Sequence, residues 1–329
     1  MKVALVSSRS FAQVLSVGQD LLVEAGFDVR RVGPEERPLD GAKLARIVER
    51  EAPAVLIAGA EPITREVLCA SPTLRMVQKH GVGVDNIDLE AATESGIAVA
   101  NAPGTNTDAV ADLALALMLD LLRSVVPAVE STREGKWDRY IGNELGRMTV
   151  GVIGTGRIGR AVVSRLSGFG SSVVAYDVYR DEAWADENGV RYVELEGLLR
   201  AADIVTLHIP LMDETRDLID APRLAMMKPT AFLVNIARGE LVDETALAEA
   251  LSSGGIAGAG IDVFATEPPQ ASPLLRCPNV LATPHIGAYT REAMECMDRT
   301  CAETVRDAFS KRMSKNVLNP EVFTRWTTA

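Results

Sequence analysis

From Lys2 to Ala100, short apolar runs alternate with stretches of helical character. The expected strands are Val3–Val6, Asp28–Val32, Val55–Ile57, Arg75–Val77 and Ala98–Ala100. Between them lie expected helices near Phe11–Glu24, Ala42–Arg50, Thr64–Leu68 and Leu89–Ser95. Such alternation implies parallel strands joined by crossover helices, a flavodoxin-like α/β unit.

Thr105–Arg123 follows, apolar almost all round, and a helix of that kind is expected to be buried on every side. We expect it to link two domains and to pack against a second subunit. A second α/β series begins at Thr149, with strands at Ser172–Tyr176, Ile204–Leu207, Ala231–Asn235, Ala259–Val263 and Val280–Ala282. What remains after residue 290 holds a helix, Glu292–Phe309, and is too short for a core of its own. The economical layout is discontinuous. Residues 1–100 with 290–329 form a substrate domain, residues 101–289 form a dinucleotide-binding Rossmann domain, and a cleft lies between these two parallel-sheet units.

The stretch Val150-Gly-Val-Ile-Gly154-Thr-Gly156-Arg-Ile-Gly159 organises the second unit. A β-branched strand runs into a G-x-G-x-x-G turn and then a helix. Gly154 permits the tight turn, Gly156 lets backbone approach a pyrophosphate, and Gly159 lets helix and strand pack closely. The first amides of the helix and its positive end would face the phosphates. The next strand ends in Asp177, roughly 20 positions on, where ribose hydroxyls call for an acid. That carboxylate would repel a 2′-phosphate, so NAD is expected over NADP, although Arg180 stands nearby.

Composition narrows the class. The chain has 329 residues, 47% of them hydrophobic, and a net charge of −11, which argues against sequence-independent nucleic-acid binding. Its four cysteines form no C-x-x-C pair and no zinc spacing, which suits free thiols in a reducing cytoplasm and leaves no metal site expected. Met1-Lys-Val-Ala-Leu-Val-Ser is too brief for a signal-peptide core, and no apolar run is long enough to span a membrane.

Only three histidines are present, His80, His208 and His285, which shortens the search for a group titrating near neutrality. His285 follows the strand Val280–Ala282, Arg238 follows the strand ending at Asn235, and Glu267 follows the strand ending near Val263. All three lie past the carboxyl ends of strands in one sheet, where open α/β sheets bind ligands. Reduction of a 2-oxo acid needs a proton donor, a cation for the carboxylate and a hydride source. Protonated His285, Arg238 and NADH would supply these in turn. Glu267 would favour the imidazolium and fix its tautomer, and Arg238 offers a planar fork matched to a carboxylate. His208 also ends a strand and is the rival proton donor. Asp262 reads either as a ligand contact or as a strand-ending Asx turn.

The set G-T-G-R-I-G, N-I-A-R-G-E, D-V-F-A-T-E-P-P and P-H-I-G-A, with Gly81-Val-Gly-Val-Asp-Asn-Ile-Asp88 and Asn101-Ala-Pro-Gly-Thr-Asn106, resembles the D-isomer-specific 2-hydroxyacid dehydrogenase family, in its phosphoglycerate dehydrogenase-like form. The resemblance covers essentially the whole chain. It implies that Arg238, Glu267 and His285 are the catalytic set and that the protein is a homodimer built on the cofactor domain. It implies cofactor contacts from Gly154, Gly156, Arg157, Ile158, Gly159, Asp177, His208, Pro210, Thr215, Ala237, Asp262, His285 and Gly287. His208 thereby becomes a backbone contact near the nicotinamide, and Asp262 the acceptor for its carboxamide.

For the substrate, the glycine-spaced amides around Val82 and Gly83 could form an anion nest for the carboxylate, and Arg238 and His285 are expected to bind it too. Lys79 matches a position where phosphoglycerate dehydrogenases carry a cation for the substrate phosphate, usually an arginine. Trp137 and Arg139 resemble a partner-subunit stretch that covers the site, although the loop after them is shorter here; surface charges are the plain alternative for Lys79 and Arg139. The expected function is that of an NAD-dependent D-2-hydroxyacid dehydrogenase whose substrate carries a second anionic group, and without a C-terminal regulatory domain. A glyoxylate or hydroxypyruvate reductase is the alternative within the enzyme class, and an NAD-sensing regulator with little turnover the alternative outside it.

Overall fold

In a computed structural model of the chain, residues 1–310, 312 and 314–328 are described; positions 311, 313 and 329 of the expected C-terminal segment lie outside them. Two compact units result, Met1–Asn106 with Tyr289–Ala329, and Thr107–Ala288.

The first unit holds a five-stranded sheet made of β1 (Lys2–Val6), β2 (Phe27–Arg31), β3 (Val55–Ala58), β4 (Met76–Lys79) and β5 (Ala98–Ala100). Its order is β2-β1-β3-β4-β5, and every pairing is parallel. β3 and β4 are buried along their whole length, as strands covered on both faces must be. The returning C-terminal helix, Arg291–Phe309, packs against the helix Val17–Glu24. That first helix starts later than the expected Phe11. Phe11 is instead a fully buried plug, with its ring edge-on to His80 at 5.5 Å and against Gly18, where a Cβ would lie 2.9 Å from the ring. Ala12 beside it has φ +50°, which ends any helical run there.

The second unit holds seven parallel strands: β6 (Thr149–Ile153), β7 (Ser172–Tyr176), β8 (Val190–Tyr192), β9 (Ile204–Leu207), β10 (Phe232–Asn235), β11 (Gly258–Ile261) and β12 (Val280–Ala282). The short β8 was not anticipated. Their order, β12-β11-β10-β9-β6-β7-β8, reverses direction at β6, so the loop leaving β6 sits at the topological switch point. Apolar layers cover both faces, one centred on Leu198, Leu199, Leu247 and Leu251, the other on Ala114, Met118, Val162 and Leu166.

The long helix is Thr107–Arg123, and it is not buried on every side within the chain. Ala111, Ala114, Leu117 and Met118 pack inward, with Leu117 Cβ only 3.1 Å from where a Gly260 Cβ would stand. Asp108, Asp112, Ala116 and Arg123 form an exposed stripe at helical spacing. Two of these acids are drawn outward by Arg165, which meets Asp112 at 2.6 Å and Asp108 at 3.0 Å.

Candidate active site

The glycine loop after β6 gives each glycine a distinct environment. Gly154 has φ +96°, and a side chain there would meet the His208 carbonyl at 2.7 Å. A Cβ on Gly159 would lie 1.9 Å from the Gly154 carbonyl oxygen, so helix Arg157–Ser167 can only pack on β6 without one. Around Gly156 a Cβ would meet no atom of the described residues within 4 Å. Packing therefore does not require Gly156, the second glycine of the motif, whereas a ligand drawn against the backbone at the helix start would. Arg157 and half-buried Ile158 open that helix.

Asp177, just past β7, is already engaged with this loop. Its carboxylate accepts from the Thr155 amide at 2.6 Å and the Thr155 hydroxyl at 3.1 Å, and from the Tyr179 amide at 2.9 Å. Thr155 also bonds the Tyr192 hydroxyl at 2.7 Å, and Arg160 reaches the Thr155 carbonyl at 2.9 Å while pairing with Asp181. Sequence reasoning missed Thr155, Arg160 and Tyr192. Tyr192 belongs to the unforeseen β8, and only an arginine directly after the last glycine could have drawn notice to Arg160. Arg180 is paired with Glu194 at 2.5 Å.

On the other side of the switch point, His208 follows β9. Its Nε2 bonds the Thr206 hydroxyl at 3.0 Å, while Nδ1 is buried with no hydrogen-bond partner among the described residues. Burial pushes the imidazole down to about 3, so the ring is neutral at physiological pH. A neutral ring is unsuited to be the proton donor for which His208 was the rival. An orphaned buried nitrogen beside the glycine loop instead fits a ligand that completes it. Pro210 and Thr215 shape the same turn, the Thr215 hydroxyl donating to the Pro210 carbonyl at 2.9 Å.

Three loops at the carboxyl ends of β10, β11 and β12 carry Arg238, Asp262, Glu267 and His285. After β10, Asn235 turns the chain back on itself. Its amide nitrogen donates to the Arg238 carbonyl at 2.7 Å, and its oxygen accepts from the Ala237 amide at 3.1 Å. Gly239 then lies flat against the next loop, where a Cβ would fall 2.0 Å from the Phe264 carbonyl carbon. That close approach holds the Arg238 turn to the loop bearing Glu267. Glu244 secures the same loop, accepting from the Ala265 amide at 2.7 Å and the Ser272 hydroxyl at 2.5 Å.

Asp262, fully buried after β11, binds the His285 loop from below. One oxygen accepts from the Thr283 hydroxyl at 2.6 Å and the Ile286 amide at 2.8 Å, and the other from the Gly287 amide at 2.8 Å. The His285 amide donates to the Asp262 carbonyl at 2.9 Å. His285 itself has φ +53°, a left-handed conformation that a non-glycine residue keeps only when its surroundings enforce it. The enforced geometry places Nδ1 against Glu267, at 3.1 Å from Oε1 and 2.8 Å from Oε2. Burial works to raise the Glu267 carboxyl, but the His285 hydrogen bond and charge, the Phe264 amide and the Arg238 charge together hold it below its ordinary value.

Lys79, Val82 and Gly83 belong to the first unit. Lys79 ends β4 almost fully buried, and its ammonium donates to the Gly59 carbonyl and to Asn86 Oδ1, both at 2.6 Å. Val82 and Gly83 are half-buried in the following loop, where the Val82 carbonyl accepts from Asn101 at 2.7 Å. Arg139 and Trp137 lie on an exposed irregular segment of the second unit.

Residues 115–287 match the model of the D-isomer specific 2-hydroxyacid dehydrogenase NAD binding domain. The chain belongs to the D-isomer specific 2-hydroxyacid dehydrogenase family. Its second unit is therefore an NAD binding domain of that family, with the glycine loop, Asp177 and the His208 turn as the residues suited to hold the dinucleotide. The chain is 43% identical to D-3-phosphoglycerate dehydrogenase of Mycobacterium bovis over 289 residues, 87% of this chain and 55% of that protein. It thus spans about half the length of the phosphoglycerate dehydrogenases it matches. It is 38% identical to glyoxylate reductase of Thermococcus litoralis over 313 residues, 92% of this chain and 94% of that one. Among solved structures, D-lactate dehydrogenase of Aquifex aeolicus, complexed with NAD and lactic acid, superposes with a TM-score of 0.85 at 27% identity, covering 97% of this chain and 99% of that chain.

Proposed function

We propose that the protein is an NAD-dependent oxidoreductase that interconverts 2-oxo acids and D-2-hydroxy acids, with Arg238, Glu267 and His285 as its working groups. The observation that carries this reading is the two-oxygen grip of Glu267 on His285 Nδ1. It fixes the tautomer, so Nε2 is the nitrogen left to serve a substrate oxygen. In the reducing direction His285 gives the Nε2 proton to the carbonyl oxygen as the carbon becomes tetrahedral. In the oxidising direction it takes that proton back. Arg238 binds the substrate carboxylate with its planar fork, and its charge helps keep Glu267 ionised. When bound, NADH supplies the hydride that reaches the carbonyl carbon. Asp262 holds the His285 loop in place from beneath.

The substrate in this reading carries a second anionic group, as in a 3-phosphoglycerate-like acid, with Lys79 serving that group and the amides of Val82 and Gly83 serving the substrate carboxylate. The 43% identity to phosphoglycerate dehydrogenase supports it. A glyoxylate or hydroxypyruvate reductase is the second reading, favoured by 38% identity along nearly the whole of such an enzyme. We further propose a cytoplasmic homodimer, with Arg139 of the partner subunit reaching the substrate.

The test is NADH consumption by purified protein across glyoxylate, pyruvate, hydroxypyruvate and its 3-phosphate. Turnover of at least one acid, lowered roughly 10²-fold or more in His285→Ala, is expected. NADH binding without turnover of any acid would overturn the enzymatic reading in favour of an NAD-sensing protein.

A further inference from the structure

Asp177 follows β7 on a loop open to solvent, where Val178 and Tyr179 are 73% and 87% exposed. Its carboxylate nevertheless accepts three hydrogen bonds among the described residues, and two of them come from Thr155. Oδ2 takes both the amide and the hydroxyl of Thr155, which fills its two lone pairs. Oδ1 takes the Tyr179 amide and can accept a second donor.

The partners fix the direction of every proton behind this grip. An ionised carboxylate only accepts, so the single proton of the Thr155 hydroxyl points to Asp177. The Tyr192 hydroxyl, 2.7 Å from Thr155 Oγ1, is then the donor of that pair. Its own oxygen accepts from the Asp181 amide at 3.4 Å. The Asp181 amide, Tyr192 and Thr155 thus form a one-way chain of donors that ends on the Asp177 carboxylate, and donors in series polarise one another.

Arg160 holds both ends of this chain. Its Nε donates to the Thr155 carbonyl at 2.9 Å, its Nη2 pairs with Asp181 at 2.8 Å, and its guanidinium lies 4.7 Å from the centre of the Trp184 ring. Thr155 itself is 3% exposed, which shields its hydroxyl from water. An oxygen that can take one more donor suits a ribose hydroxyl, whereas a 2′-phosphate would bring negative charge against it. Repulsion of that kind discriminates only while the carboxylate cannot rotate away, and the bonds to Thr155 oppose that rotation.

We propose that Thr155 and Tyr192 are positioning residues that fix Asp177 for the adenosine ribose and thereby set the preference for NAD over NADP. The proposal rests on the reading of Asp177 as the ribose acid and is independent of the reaction catalysed.

Fluorescence titrations with NADH and NADPH test it on the wild type, Tyr192→Phe, Thr155→Val, Thr155→Ser and Asp177→Ala. Tyr192→Phe and Thr155→Val keep the shape and lose one hydroxyl each, so each should raise the Kd for NADH roughly fivefold or more, with the Kd for NADPH within about twofold. Thr155→Ser keeps the hydroxyl and should restore most of the NADH affinity. Adding Tyr192→Phe to Asp177→Ala should alter the Kd for NADH by less than about twofold, because the group that the chain positions is gone. Equal weakening of both dinucleotides, an unchanged Kd for NADH, or a Tyr192→Phe effect that persists without Asp177 would overturn the proposal. An Asp177→Ala variant that binds NADH as the wild type does would remove the ribose acid itself and the proposal with it. Weaker NADH binding in Asp177→Ala beside wild-type binding in Tyr192→Phe would remove the chain alone. Binding is read without turnover, so the oxidoreductase reading stands or falls separately.

Discussion

Glu267 grips a single nitrogen of His285 with both of its carboxylate oxygens, leaving the opposite ring nitrogen as the only one the loop does not use. The grip is held from two sides. Asp262 accepts the amides of Ile286 and Gly287, and the Gly239 backbone presses the Arg238 turn against the Phe264 end of the Glu267 loop. Three residues distant in sequence are brought to adjoining strand ends by parallel strands in the order β12-β11-β10.

The first prediction concerns this pair. His285→Ala should lower kcat roughly 10²-fold or more, the usual worth of a positioned acid, while NADH still binds. Glu267→Gln keeps the size but removes the charge, and should lower kcat by roughly tenfold with the melting temperature little altered. Stopped-flow hydride transfer with a good 2-oxo acid checks both, and wild-type rates in either variant would remove the pair from the chemistry.

Two glycine substitutions should separate packing from ligand contact. Gly159→Ala forces a methyl to within 1.9 Å of the Gly154 carbonyl, so the βα turn must deform and the melting temperature should fall steeply. Gly156→Ala meets no atom of the described residues within 4 Å, so the fold should be retained while the Kd for NADH rises roughly tenfold or more. Thermal melts and fluorescence titration with NADH check the pair. Equal loss of stability in both variants would contradict the assignment of Gly156 to the ligand.

The fold and the chemistry differ in how plainly the chain spells them. Short runs of mostly aliphatic residues such as Val55–Ala58 and Ile204–Leu207 name their strands, because strands buried on both faces have no polar alternation to confuse them. Phe11 misleads, since an apolar residue ahead of a helix reads as its first turn when it is in fact a plug against His80. The long helix misleads in another way, because its composition hides an exposed stripe with two acids, Asp108 and Asp112, turned to Arg165. At the site, Arg238, Glu267 and His285 stand out by type and by place after strands. Thr155, Arg160, Tyr192 and Glu244 do not, since they act by hydrogen bonds to loops whose path only the folded chain defines.

Arg238→Lys is the third prediction. Lysine keeps the positive charge beside Glu267 but offers a point donor in place of a planar fork. We expect kcat/KM for the 2-oxo acid to drop by roughly 10² or more, chiefly through KM, with the NADH affinity retained. A matching loss of NADH binding would show instead that the turn between Asn235 and Gly239 had been disturbed.

Stability against acid is the last prediction, and it turns on His208. Its imidazole is held near 3 by burial, whereas in the unfolded chain it protonates near the ordinary value of about 6.5. Between those values the unfolded state binds a proton that the folded state refuses. The histidine's contribution is therefore fully present above about 6.5 and is lost as the pH falls toward 3, by up to about 1.4 kcal/mol per pH unit. His208→Gln removes the titrating ring while keeping a polar partner for Thr206, so its melting temperature should decline less than that of the wild type between pH 6.5 and 4. Parallel melting curves of the two proteins across that range would expose the reverse, a histidine that protonates freely in the fold and leaves the acid limb untouched.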